Sequence, residues 1–169
     1  SSDLPEKAQN PDLPKAGDEI SGFSVDAVGE ISFLDADTLY LTHKISGARV
    51  AVILNEDENR CFEIGYRTPA IDDSDANHVF EHAILSGSGK YDSSNLFFDL
   101  AGSTYSTYVN ASTYPTMTVY PVMSLSEEQL RILADAYLSC MVDPDVLRDE
   151  NIFRREAIRY QLPSPEEDI

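Results

Sequence analysis

His78-Val79-Phe80-Glu81-His82 is the stretch of this chain that predicts most about its fold. On an α-helix, residues at positions i, i+3 and i+4 are surface neighbours, so a helix over this stretch brings His78, Glu81 and His82 together. Val79, Phe80 and the apolar residues that follow the stretch indicate a largely buried helix, in which three polar side chains need partners. We therefore expect these three side chains to form one site.

The residue types at these positions predict a zinc site. A catalytic zinc usually takes three protein ligands and a water whose pKa falls to about 7, and His78 and His82 would supply two imidazole ligands. Glu81 is then placed to accept a proton from that water, so the H-x-x-E-H arrangement points to metal-assisted peptide hydrolysis. The alternative is a pair of ordinary helix histidines satisfied by hydrogen bonds. Only one other histidine, His43, occurs in the chain, so abundance does not explain the pairing.

Several further segments follow one another in the order of a known family. They are Gly65-Tyr66-Arg67-Thr68-Pro69, His78 to His82, Leu85 to Tyr91, Val109 to Pro115, Tyr120-Pro121-Val122 and Phe153 to Tyr160. With these segments the chain resembles the M16 metallopeptidases of the pitrilysin and insulinase type, and most closely their presequence-protease-like subfamily. Ala157 departs from the pattern, since the subfamily more often has glycine there.

The resemblance implies a zinc-dependent endopeptidase that encloses unfolded peptides in a chamber made by two halves of a long chain. This chain would be the N-terminal part of one half, and the missing C-terminal part of the same enzyme would be its partner. By the same resemblance, His78 and His82 correspond to zinc ligands and Glu81 to the base that activates water. Asn110 and Ala111 correspond to the strand that holds the peptide substrate by its backbone.

The third zinc ligand is expected outside this sequence. In the subfamily resembled, the glutamate of the Phe-x-x-Glu segment is not the ligand, and the ligand follows at a distance that falls beyond Ile169. Glu150 and Glu156 are therefore expected to support the site and not to bind the metal. A site with two histidines and no carboxylate should hold zinc weakly, so the chain alone is expected to be inactive or nearly so.

Two other classes of function remain open from the sequence. Folds host unrelated functions, so a non-catalytic scaffold or binding subunit of the same fold is one alternative. The other is a metal bound for stability alone, for which a fourth ligand would be needed. Neither Cys61 nor Cys140 is near enough in sequence to propose as that ligand, and both are expected to be buried free thiols.

The composition excludes some partners. The formal net charge is -18 over 169 residues, which argues against nucleic acid because the phosphate backbone would be repelled. The charge fits either a solvated surface or an acidic chamber that attracts basic peptides. No apolar run approaches the roughly 20 residues of a membrane span, and no signal peptide is expected.

The patterning predicts an α+β fold, a two-layer sandwich of an antiparallel or mixed sheet with the helices on one face. Residues 1–15 read as a flexible N-terminal lead, and residues 16–169 as the N-terminal part of an M16-type peptidase domain. The predicted elements are strands at 38–42, 49–54, 61–66, 105–110 and 116–122, and helices at 78–85, 95–101, 126–141 and 149–160. Thr38 to Thr42 and Arg49 to Leu54 should form a hairpin.

Overall fold

The computed structural model describes residues 12–157, and within them the predicted α+β class is confirmed by four α-helices and two antiparallel sheets. The chain divides into two compact units, one up to Asp57 and the other from Glu58. Residues 1–11 of the predicted lead lie outside the described part, and the single domain predicted from residue 16 stays a prediction. No helix in the described range is long and apolar enough to cross a membrane.

The first unit is a four-stranded meander, in which each strand pairs with the next. Its strands are β1 (Glu19–Ile20), β2 (Phe23–Ile31), β3 (Ala36–His43) and β4 (Arg49–Leu54). The predicted hairpin is confirmed as β3–β4, and Gly47 in its turn has a φ of 72°, a conformation that glycine adopts without strain. Strand β2 was not expected, because a register shift between Val25 and Ala27 interrupts its alternation of apolar and polar residues.

The second unit contains all the helices and the second sheet. Its elements are β5 (Arg60–Arg67), α1 (Ala76–Ile84), α2 (Leu96–Ser103), β6 (Tyr108–Val109), β7 (Ser112–Thr113), β8 (Met117–Ser124), α3 (Glu127–Val142) and α4 (Glu150–Ala157). Strand β8 is central: it pairs with β5 on one side and with β6 and β7 on the other. The strand predicted over 105–110 is shorter than expected, because regular pairing is limited to β6. The last predicted helix, α4, is described only as far as Ala157.

One face of β8 carries the core of this unit. Tyr120 and Val122 project from it into a buried cluster with side chains of α1, α2 and α3. Since the side chains of alternate strand residues share a face, these three helices lie on the same face of the sheet, as predicted. This packing fixes α1, which carries the histidines, against the central strand.

The buried face of α3 agrees only in part with the apolar stripe of its sequence. That stripe predicts a core face of Leu130, Leu133, Ala134, Tyr137, Leu138 and Met141. Leu133 and Tyr137 are buried as predicted, together with Ala136 and Cys140, whereas Leu138 is 46% exposed. The helix carries two overlapping apolar stripes that share Leu133 and Tyr137, and both shared residues are fully buried.

Ser126 and Gln129 at the start of α3 have the spacing of a capping box, and the structure contains one half of it. Ser126 is the N-cap, and its hydroxyl accepts a hydrogen bond from the backbone N–H of Gln129 at 3.4 Å. The reciprocal half of the predicted capping box is absent within residues 12–157, because the side-chain oxygen of Gln129 accepts from the Tyr105 N–H instead.

Candidate metal centre

Helix α1 begins at an unusual N-cap that already belongs to the site. The sequence offers Ser74 or Asp75 as a side chain that caps this helix. Asp75 lies at the N-cap position, in the left-handed region (φ 54°), but its side chain caps no helix N–H. Its carboxylate oxygen Oδ2 lies 3.0 Å from Nδ1 of His78. Because a carboxylate only accepts hydrogen bonds, Nδ1 of His78 is the donor in this pair.

His78 and His82 face each other one helical turn apart. Their Nε2 atoms are 3.2 Å apart, and the rings meet nearly edge to face with centroids separated by 4.9 Å. Both side chains are partly exposed, so the expected burial of this helix is wrong for the face that carries the histidines. The opposite face, with Ala83 and Ile84, is buried as predicted.

Glu156 contacts Nδ1 of His82, just as Asp75 contacts Nδ1 of His78. Its oxygen Oε2 lies 3.5 Å from Nδ1 of His82, and its side chain is only 11% exposed. Arg155 holds the other oxygen, Oε1, at 3.0 Å through its Nε atom. Glu156 therefore contacts the ring nitrogen that points away from the imidazole pair, which agrees with the supporting role expected for it.

Arg155 also connects this pair to the loop after α1. Its two terminal nitrogens donate to the backbone oxygen of Ser94 at 3.0 Å and to the hydroxyl of Ser86 at 2.8 Å. Ser86 is buried just after α1, at the start of Ser86-Gly87-Ser88-Gly89, a segment whose glycines are expected to end the helix. The position of α4 relative to α1 is therefore fixed by hydrogen bonds directly beside the site.

Glu81 completes the cluster from the buried side. It is 7% exposed, and its Oε2 atom accepts a hydrogen bond of 2.5 Å from the hydroxyl of Thr113 in β7. The potential ligand atoms of His78, Glu81 and His82 all lie within 4.8 Å of one another. The structure thus brings together the three residues that the sequence singled out in α1.

Zinc fits this donor set. At zinc–nitrogen distances of about 2.0–2.1 Å, two ligands of a tetrahedral site are about 3.3 Å apart, close to the observed separation of the two Nε2 atoms. Carboxylates beside the outer ring nitrogens are common partners of metal-binding histidines, whose rings they orient. Asp75 and Glu156 are placed in this way beside His78 and His82.

The site opens into a pocket of about 510 Å³. Asn110 and Ala111 line it together with the cluster of α1, so the structure brings the predicted substrate-binding residues to the predicted metal site. The remaining lining residues are mainly apolar or aromatic: Leu85, Phe97 and Phe98, with Asn95 and Glu156 as polar members. Such a lining of apolar side chains with a few polar groups is typical of ligand sites.

The main chain of Asn110 is used within the fold. Its N–H donates to the backbone oxygen of Pro121 at 3.2 Å, and its carbonyl accepts from the hydroxyl of Tyr137 at 3.2 Å. Tyr137 is fully buried, and this burial raises the pKa of its hydroxyl. The hydroxyl of Tyr137 therefore holds the main chain of Asn110 in place beside the pocket.

The Glu81 carboxylate also affects the pKa of a buried tyrosine. Burial raises the pKa of Tyr120, and the nearby Glu81 carboxylate raises it further. The buried tyrosine therefore stays neutral beside the site and adds no competing negative charge.

The cysteines lie outside this cluster. Both are free thiols, and Cys140 is buried as expected, which raises its pKa to about 12. The burial expected for Cys61 is wrong, since this thiol is exposed on β5.

Sequence reasoning missed the roles of Asp75, Thr113 and Arg155. Thr113 lies in one of the segments that carried the family resemblance, and Arg155 lies in another. Nothing in the spacing, however, predicted that either would contact the site, because Thr113 is 32 residues from Glu81 and Arg155 is 69 residues from Ser86.

Comparison with known proteins supports the M16 resemblance. No protein-family model matches the chain. Presequence protease 1 of Arabidopsis thaliana is 35% identical over 159 residues, or 94% of this chain and 15% of that protein. Protein HypA of Clostridium perfringens is 33% identical over 88% of this chain and 15% of its own length. Mouse mitochondrial presequence protease is 32% identical over 89% of this chain and 14% of its own length. The chain thus spans about one-seventh of the length of these relatives.

Proposed function

We propose that this chain is the zinc-binding N-terminal part of an M16-type endopeptidase that hydrolyses unfolded peptides. One observation carries the proposal: two Nε2 atoms 3.2 Å apart, each on a ring whose Nδ1 faces a carboxylate. The names of the presequence-protease relatives support a peptidase, although the similarity covers only a small part of each of them.

In this proposal His78 and His82 hold the metal, and a third ligand comes from sequence beyond Ile169. Zinc, when bound, supplies a Lewis acid that polarises the peptide carbonyl and acidifies a water molecule. Glu81 accepts the proton of the attacking water and passes it to the nitrogen that leaves. Its hydrogen bond with Thr113 holds the carboxylate beside the two imidazoles during this transfer.

Peptide binding is assigned to the outer edge of β6 and β7. These strands pair with β8 on one side only within the described sheet, so an extended peptide can add to them through main-chain hydrogen bonds. Asn110 and Ala111 lie between β6 and β7, and the main-chain groups of Asn110 are already hydrogen-bonded within the fold. We therefore assign the main-chain contact to Ala111, with Asn110 as the residue that fixes its orientation.

The pocket beside this edge is suited to an apolar side chain of the peptide. Leu85, Phe97 and Phe98 form its apolar wall, and Phe97 and Phe98 contact each other edge to face. Burial of an apolar side chain against such a wall contributes about 1.5–3 kcal/mol to binding.

The test compares this chain with a version extended past Ile169, measuring zinc content and hydrolysis of an unfolded peptide. We expect tight zinc binding and turnover in the extended version. In that version Glu81→Gln should lower turnover at least about 100-fold and leave zinc bound, because only the proton acceptor is removed. Glu63→Gln, which removes a charge from exposed β5, is the matched control.

The outcomes separate the alternatives. Retained turnover in Glu81→Gln would contradict its role as the base. Zinc without turnover in either version would indicate a structural metal site, and no zinc in either would indicate a scaffold. Tight zinc binding by the short chain would place the third ligand within residues 1–169.

A further inference from the structure

A line of three threonine hydroxyls ends at Glu81. Thr68, just after β5, lies with its Oγ1 atom 2.7 Å from that of Thr118 in β8. The Oγ1 of Thr118 is 3.3 Å from that of Thr113 in β7, and Thr113 donates to Glu81 Oε2 at 2.5 Å. Thr113 and Thr118 are directly opposite each other in the β7–β8 pair, so strand register holds the middle of this line in place.

The direction of the protons follows from the last member. The Glu81 carboxylate only accepts, so the single hydroxyl proton of Thr113 is committed to it. Thr113 can then only accept from Thr118, and Thr118 from Thr68. All three O–H groups therefore point towards Glu81. Hydrogen bonds aligned in one direction polarise each other, by about 10–30% for each bond.

The three threonine side chains are at least partly buried. Thr118 is 2% exposed, and Thr68 and Thr113 are half-buried. The line also connects with the start of α1, because the backbone oxygen of Thr68 accepts from the side-chain amide of Asn77 at 2.9 Å. Asn77 precedes His78, so the same corner of the sheet fixes both the start of the helix and the carboxylate of Glu81.

We propose that Thr113, with Thr118 and Thr68 behind it, is a positioning residue for Glu81. Its hydroxyl engages Oε2 and prevents rotation of the carboxylate, which leaves the second oxygen able to accept the proton of the attacking water. A hydrogen bond to a charged group is among the stronger ones in proteins, particularly where water is excluded. The catalytic part of this inference rests on the proposed function, whereas the hydrogen-bond arrangement does not.

The first test examines the hydrogen bond between Thr113 and Glu81 and requires no peptidase activity. The ¹³C NMR signal of the Glu81 carboxylate is recorded in this chain without metal, for the unchanged protein and for Thr113→Val and Thr113→Ser. We expect Thr113→Ser to keep the signal and Thr113→Val to shift it. Thr116→Val, at an exposed position in the turn between β7 and β8, is the matched control and should leave it unchanged.

The second test measures kcat, KM and zinc content in the form that hydrolyses peptide. Thr113→Val should lower kcat about 10- to 100-fold with KM and zinc content unchanged. Thr113→Ser should restore kcat to within a few-fold. Thr118→Val keeps the hydroxyl of Thr113 and removes the donor behind it, so kcat should fall about two- to fourfold. This variant also serves if Thr113→Val fails to fold.

The two hypotheses fail separately. An unchanged Glu81 signal in Thr113→Val would overturn the positioning role. If Glu81→Gln lowers kcat but neither threonine variant does, the proposed base stands and the positioning role is wrong. If no form of the protein hydrolyses peptide, the proposed function fails, and the NMR comparison still decides whether Thr113 orients the carboxylate.

Discussion

Replacing Glu156 by glutamine tests how the outer carboxylates prepare the imidazole pair. The carboxylate lies 3.5 Å from Nδ1 of His82 and is anchored by Arg155 at 3.0 Å. Glutamine keeps the length of the side chain and an oxygen that accepts a hydrogen bond, but it removes the charge. The variant therefore isolates the electrostatic part of this contact.

The magnitude of this charge contribution is taken from the known difference between hydrogen bonds to charged groups and hydrogen bonds between neutral groups. A bond to a charged group contributes about 1.5–3 kcal/mol, and one between neutral groups about 0.5–1.5 kcal/mol. The difference of about 1 kcal/mol corresponds to a five- to tenfold weaker zinc affinity in Glu156→Gln. Glu156→Ala removes the acceptor as well, and a loss of 10- to 100-fold is expected, as for other carboxylates that contact metal-binding histidines.

The assay is competition for zinc with a fluorescent chelator at fixed pH and ionic strength. Glu150→Gln is the control, because it removes the same charge from the same helix. Glu150 is 73% exposed and pairs with Arg154 at 2.9 Å, away from the histidines. An exposed pair of this kind contributes little, so zinc affinity should stay within about twofold of the unchanged protein.

Two results would refute the reasoning. Equal effects of Glu150→Gln and Glu156→Gln would mean that only the net charge of the helix matters. A loss of more than about 1,000-fold in Glu156→Gln would exceed what an outer hydrogen bond contributes. In that case Glu156 would itself be a zinc ligand, and the third ligand would not lie beyond Ile169.

Two further predictions concern stability. Tyr91 donates to Asp135, which raises the pKa of Tyr91 to about 12, and burial raises that of Cys140 to about 12. Both groups ionise more readily in the unfolded chain, so the urea midpoint should fall as pH rises from about 9 towards 12. The midpoint should fall less steeply in Tyr91→Phe. An equal slope in that variant would contradict a contribution of Tyr91 to the pH dependence. Leu133→Ala should lower the free energy of unfolding by about 2–5 kcal/mol, because it leaves a cavity in the core. Leu138→Ala should lower it by less than about 1 kcal/mol, because this side chain is largely exposed. Similar losses for both variants in chemical denaturation would contradict the observed buried face of α3.

The parts of the structure that could be predicted depend on local geometry. His78, Glu81 and His82 lie within five residues, and the helical repeat alone brings them together. The β3–β4 hairpin is similarly local, since two strand-like runs flank a short turn. In both cases the distance in sequence is short enough for backbone geometry to determine the contact.

The parts that could not be predicted depend on how the helices and strands pack against one another. On α3, two apolar stripes overlap, and only the contact with β8 decides that Ala136 is buried and Leu138 is exposed. Strand β2 was missed because a bulge near Asp26 breaks its alternation. At the N-cap of α1, the sequence left Ser74 and Asp75 as alternatives, and the contact of the Asp75 side chain with His78 could not be predicted.

The division between local and distant residues also separates two properties of the site. The local motif supplies the reactive groups, two imidazoles and a carboxylate, and these determine what chemistry is available. Their orientation is set by residues from elsewhere: Glu156 from α4 contacts His82, and Thr113 from β7 donates to Glu81. A chain that kept the five-residue motif and lost these contacts would retain the groups but not their arrangement. The supporting residues are therefore where we expect substitutions to reduce the function without removing any group that reacts.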